Sequence, residues 1–224
     1  MKKKYYIFEL GTNSFLLNFI LIIIFAGLLF LSYLINPNIL SPNIDIAMFI
    51  IYLFGYFLLH ELLHSIGYVI NGASFNKIVY GIKLEKGVFY CLCKQNISKK
   101  NISYSSIYPL FFIGILTYII GIIFNFPLLV ILSAFNISGS VADIFTFLFI
   151  RKLKDDIEFT EMDNPLYFAI YADYDVSKVK HTCLNFIKSS EDVKREDFKK
   201  ITISKPSYII LGIAVVYMII MKLL

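Results

Sequence analysis

The sequence predicts an all-α polytopic membrane protein of four to five transmembrane helices, with a small cytoplasmic β-hairpin and a cytoplasmic tail segment. Three observations lead there. Of the 224 residues, 58% are hydrophobic and only 17% charged, whereas soluble domains lie nearer half apolar and a quarter charged. The apolar residues gather into runs close to the about 20 residues that cross roughly 30 Å of hydrocarbon. The basic residues fall between those runs instead of within them.

The first run, from about Ser14 to Ile35, follows Lys2-Lys3-Lys4. It is too long for the apolar region of a signal peptide and lacks a small-x-small cleavage site, so it is expected to be an uncleaved anchor. The second runs from about Ile44 to Ile70 and the third from about Ile107 to Phe124. The fourth follows almost at once, from Pro127 to Ile150. A fifth, Tyr208 to Met221, is short enough to be a tilted span or an interfacial helix. Residues 1–150 thus form the expected membrane core, 151–206 a cytoplasmic segment and 207–224 a C-terminal membrane or interfacial helix.

Between the second and third spans, the stretch 75–95 reads as a β-hairpin. Lys77-Ile78-Val79-Tyr80-Gly81-Ile82-Lys83-Leu84 and Val88-Phe89-Tyr90-Cys91-Leu92-Cys93 are rich in β-formers, and Glu85-Lys86-Gly87 supplies a turn. Cys91 and Cys93 would share one face of a strand. With Cys183 the only other cysteine, a structural role is favoured over a metal cage of four thiolates. The polar stretch Asp155 to Lys205, with mixed charge and scattered aromatics, suits a small folded tail.

Orientation follows from the cations. With the N-terminus cytoplasmic, three lysines precede the first span, six lie between Lys77 and Lys100, and eleven Lys or Arg lie between Arg151 and Lys205. Only Lys222 is left for the far side, as the positive-inside rule requires. This distribution explains the net charge of +5 without nucleic acid, since no basic stripe is interleaved with stacking aromatics.

The chemistry sits in the second span, at His60-Glu61-Leu62-Leu63-His64. Two histidines four apart on a helix lie one turn apart on one face. They suit adjacent corners of a tetrahedral zinc ion, and a glutamate between them can reach a metal-bound water. Burying such groups in hydrocarbon costs several kcal/mol unless they are paired. Three competing readings stand beside the metal. The first is a polar cluster that only packs helices. The others are a proton relay and a haem pair, although a haem needs its two histidines on facing helices.

A hydrolytic zinc site uses three protein ligands and leaves one position open. Asp143, in the fourth span, is the intramembrane acid that fits; His181 lies in the tail and Asp45 at the far mouth of the second span. His64 lies seven residues before Asn71, and Asp143 eight before Arg151. Both therefore sit roughly 10–12 Å below the cytoplasmic surface. Asn136, two turns before Asp143, could steady a substrate backbone or donate to a developing oxyanion. It could equally serve only to join helices.

These features resemble the site-2-protease class of intramembrane metallopeptidases. More closely, they are similar to the bacterial putative zincin peptidase family of small integral membrane proteins. The matching stretches are His60-Glu61-Leu62-Leu63-His64-Ser65-Ile66-Gly67, Tyr90-Cys91-Leu92-Cys93-Lys94-Gln95, Tyr108-Pro109-Leu110 and Gly139-Ser140-Val141-Ala142-Asp143-Ile144. The resemblance implies Zn²⁺ held by His60, His64 and Asp143, with Glu61 as the catalytic base. Asp143 is followed by Ile144, not by the glycine of a Leu-Asp-Gly motif. The expected protein is an intramembrane zinc metallopeptidase of the bacterial plasma membrane, with its active-site opening cytoplasmic and a membrane protein or peptide as substrate. The alternative is a non-catalytic membrane protein that uses the zinc site for structure or for binding a partner peptide. A transporter is disfavoured by the lack of paired broken helices.

Overall fold

A computed structural model describes residues 4–10, 14–40, 46–83, 88–164, 166–179, 181 and 184–191. Strand β1 (Lys4–Leu10) leads into helix α1 (Ser14–Ile35), and a short 3₁₀ turn (Pro37–Leu40) precedes α2 (Ile46–Ile70). The hairpin β2 (Ile78–Lys83) and β3 (Val88–Cys93) follows, then β4 (Ile97–Ser98) and α3 (Lys99–Pro109). A π-helical stretch (Leu110–Leu116) joins α3 to α4 (Thr117–Ile123). Next come α5 (Pro127–Gly139), α6 (Val141–Arg151), β5 (Glu158–Glu161), β6 (Tyr167–Ala172) and β7 (Leu184–Ser190).

Three helical segments are long and apolar enough to cross a bilayer: Leu16–Ile35, Ile46–Ile70 and Lys99–Ile123. A fourth passes the same test if the pair α5 and α6 counts as one bent span. Along α1 and α2, Ile22, Ile23, Phe30, Ile50 and Ile51 all face outward. So broad an apolar exterior is foreign to a water-soluble surface. The segment Tyr208–Met221, Asp45, Cys183 and the turn Glu85-Lys86-Gly87 lie outside the described residues.

Three expectations need correction. The protein is not all-α, because a five-stranded sheet in the order β4-β5-β6-β1-β7 accompanies the expected two-stranded hairpin. β1 is the unforeseen member: it pairs antiparallel with β6 (Lys4↔Ala172) and with β7 (Leu10↔Leu184). Its Tyr5-Tyr6-Ile7-Phe8 run has the aromatic and β-branched character of a strand. Its partners, however, lie more than 150 residues away, so no local pattern reveals the pairing. The chain start and the segment after α6 thereby share one sheet. Phe8 packs against Phe149 of α6 at 5.0 Å and Phe168 of β6 at 5.7 Å, which fixes that sheet to the ends of the helices.

The fourth span is also not straight. α5 and α6 meet at 43° around Ser140. The Ser140 hydroxyl donates to the Asn136 carbonyl at 2.8 Å, and such back-bonding from serine bends helices. The third helix begins earlier than the expected Ile107, at Lys99, because Ser98 caps it by accepting from the Asn101 amide. The Asn101 side chain then donates to the carbonyls of Tyr68 and Asn71. It satisfies orphan acceptors at the end of α2 and ties α2 to the start of α3.

Candidate metal centre

The imidazoles of His60 and His64 project from the same face of α2, with their Nε2 atoms 3.1 Å apart. Asp143, in the first turn of α6, brings Oδ2 to 3.3 Å from His60 Nε2 and Oδ1 to 3.7 Å from His64 Nε2. These three residues form one group whose ligand atoms all lie within 4.8 Å of one another. Zinc bonds of about 2.0–2.1 Å in a tetrahedron imply ligand-to-ligand edges of about 3.3 Å. The three observed separations bracket that value, so the donors present fit a zinc ion.

The far side of each ring explains the orientation. His64 Nδ1 lies 2.8 Å from the Ser105 carbonyl, which can only accept, so Nδ1 carries the proton and Nε2 is a bare lone pair. For His60 the assignment passes through Asn136. The Asn136 amide nitrogen donates to the Pro109 carbonyl at 3.1 Å, which turns its Oδ1 towards His60 Nδ1 at 2.8 Å. That ring is therefore also protonated at Nδ1. Two imidazole lone pairs and a carboxylate converge on one point, an arrangement that a cation relieves. Hydrogen bonds of this kind to the remote ring nitrogen fix the tautomer and orientation of metal-binding histidines.

The acceptor for His64 exists because of a proline. Pro109 sits inside the helix and has no N–H, so it leaves the carbonyl four residues earlier, that of Ser105, without its helical donor. His64 supplies the replacement. The π-helical stretch beginning at Leu110 follows directly; such widened turns are found mostly at functional sites.

Glu61 lines the same cavity as the triad. Cys91 of β3 lines that cavity too, so the hairpin walls the space beside the residue expected to act as base. The hairpin itself is docked by Tyr80, which donates to Ser65 on α2. The cavity, of about 470 Å³, runs from the triad past Phe89–Leu92 of β3 to Phe159, Glu161 and Tyr167.

The structure thus brings together His60, Glu61, His64 and Asp143, as expected from sequence. Asn136 is nearby, but both ends of its amide are engaged, by His60 and by Pro109. It supports the His60 ring and also lines the cavity. His181 is elsewhere, packed against Phe145 and Phe149. Cys91 and Cys93 are buried thiols that form no disulfide among the described residues. Burial, reinforced by the carboxylates of Glu61 and Glu161, holds the Cys91 thiol well above its ordinary range, so it is no ready thiolate ligand. Sequence reading missed Ser105 and the role of Pro109. A proline inside an apolar run was the available signal.

A helix-borne histidine pair with an intervening glutamate, completed by a carboxylate from a later helix, is a donor set that could hold a single metal ion. Residues 53–157, a little under half of the chain, match the family model described as putative zincin peptidase. The chain is similar to that family from the middle of α2 to just beyond α6, a stretch that holds every residue of the triad and its hydrogen-bonded supports. No curated protein and no solved structure matches the chain.

Proposed function

We propose that this protein is an intramembrane zinc metallopeptidase that hydrolyses peptide bonds in membrane-embedded or membrane-proximal substrates. The observation that carries the reading is the convergence of His60, His64 and Asp143 beside Glu61, at mutual distances suited to zinc. The family match supports the peptidase chemistry. The intramembrane setting is supported by α2, which bears both histidines and is long and apolar enough to span a bilayer, and by the α5–α6 pair around Asp143, which passes the same test when counted as one bent span.

His60, His64 and Asp143 would hold the ion. Bound there, zinc supplies a Lewis acid that polarises a scissile carbonyl and makes water nucleophilic near neutral pH. The residues do the rest. Ser105 and Asn136 keep protons on the two Nδ1 atoms, so both Nε2 atoms remain donors of lone pairs. Glu61 takes the proton of the attacking water on its carboxylate and returns it to the leaving amine.

The distribution of cations supports a cytoplasmic N-terminus and a cytoplasmic opening in a bacterial plasma membrane. Strands β1 to β7 all precede or follow helices at the same end of the bundle, which agrees with one polar side. The protein in nanodiscs with zinc should cleave members of a membrane-peptide panel, and a chelator should stop it. Stoichiometric zinc without cleavage of any such peptide would favour the non-catalytic, peptide-binding reading.

A further inference from the structure

The two-stranded sheet has one edge turned into the cavity, and that edge is already occupied by side chains. In β3, Lys94 just beyond the strand donates to the Lys77 carbonyl on the β2 side. Alternation along an antiparallel strand therefore turns the amides of Cys91 and Cys93 to the opposite edge. The Cys93 amide is found with a carboxylate: it donates to Glu161 of β5, while Cys91 and Glu61 line the same cavity. Glu161 is held in turn by the Tyr68 hydroxyl at 2.9 Å. Residues of β3 line one side of the cavity, and Phe159, Glu161 and Tyr167 of β5 and β6 line the other.

Two amides two residues apart on one strand edge stand about 7 Å from each other, the spacing of carbonyls i and i+2 in an extended peptide. The carboxylate of Glu161 occupies the place one of those carbonyls would take. We propose that the outer edge of β3 docks an extended stretch of the substrate, and that Glu161 is the positioning residue that guards this edge until a substrate carbonyl displaces it from Cys93. Pairing along the same edge carries the peptide past Cys91 towards Glu61, which lines the same cavity. Glu161 lies four residues beyond the stretch that matches the family model. The inference rests on the peptidase reading only for the role of Glu61.

Binding of a fluorescein-labelled decapeptide of alternating valine and threonine, followed by anisotropy with the full chain in zinc-loaded nanodiscs, tests it. Because a charge-assisted hydrogen bond is lost from the competing state, Glu161→Ala should bind at least about fivefold more tightly than wild type. Its thermal midpoint should fall, since Tyr68 and Cys93 lose their acceptor. Glu161→Gln, which keeps an acceptor without the charge, should tighten binding by a smaller factor. The same peptide N-methylated at alternate amides should bind poorly to all three proteins. A residue that merely held the fold would weaken binding as it lowered stability. Equal or weaker binding by both variants, no binding by any protein, or undiminished binding of the methylated peptide overturns the proposal. Zinc content, measured on the same samples, separates the two readings: tightening without bound zinc would retain the docking edge while the peptidase reading fails.

Discussion

Gly67 meets the backbone of Ser105 where α2 crosses α3, so closely that a Cβ on Gly67 would lie 2.6 Å from the Ser105 Cα. No residue but glycine permits that approach, and the approach is what sets the Ser105 carbonyl against His64. Gly67→Ala must push α3 away. Overpacking of this kind costs about 1–3 kcal/mol, so the thermal midpoint should fall. Zinc affinity should fall by about 10–100-fold, because an outer hydrogen bond to a ligand is lost. Thermal unfolding and competitive chelator titration of the same samples check both effects.

Pro109 should show the reverse pairing of effects. Pro109→Ala restores an N–H that competes with His64 for the Ser105 carbonyl. It also removes a helix-interior proline, which costs about 3 kcal/mol in an ordinary helix. The metal-free variant should therefore unfold at a higher temperature than wild type while binding zinc about tenfold more weakly. A variant that loses stability and metal together would show that Pro109 acts by packing.

Asn136 separates an orienting residue from one that touches substrate. Asn136→Leu removes the acceptor for His60 Nδ1 and should weaken zinc by about 10–100-fold. Asn136→Asp keeps an oxygen there and should retain most of the affinity. If both variants bind zinc as wild type does but turn over slowly, Asn136 would belong to the substrate site instead.

Glu61→Gln should leave the metal bound and abolish cleavage, with a rate loss of about 10²–10⁴-fold, the usual worth of a general base. A variant that still cleaves at the wild-type rate would remove Glu61 from the mechanism.

The parts legible in the sequence were those with short-range signals. The apolar runs mark the spans, the i, i+4 spacing marks the histidine pair, and Asp143 stood out as a charge in an apolar segment. The unreadable parts depended on contacts between distant residues. β1 is seven residues beside an apolar helix, and only β6 and β7 make it an interior strand. The bend at Ser140 needs the back-bond to Asn136, and a straight helix would have put Asn136 and Asp143 nearly on one face. Pro109 was visible as an interruption, but its use of the Ser105 carbonyl appears only when α2 is laid across α3. Glu161 carried no sequence signal, because its partners Tyr68 and Cys93 come from other elements.

Metal analysis of the detergent-purified protein, wild type against His60→Ala and Asp143→Ala, tests the centre most directly. One equivalent of zinc in the wild type, lost from both variants, is the predicted result. Stoichiometric zinc retained by Asp143→Ala would contradict it, because the carboxylate 3.3 Å from His60 would then not be a ligand.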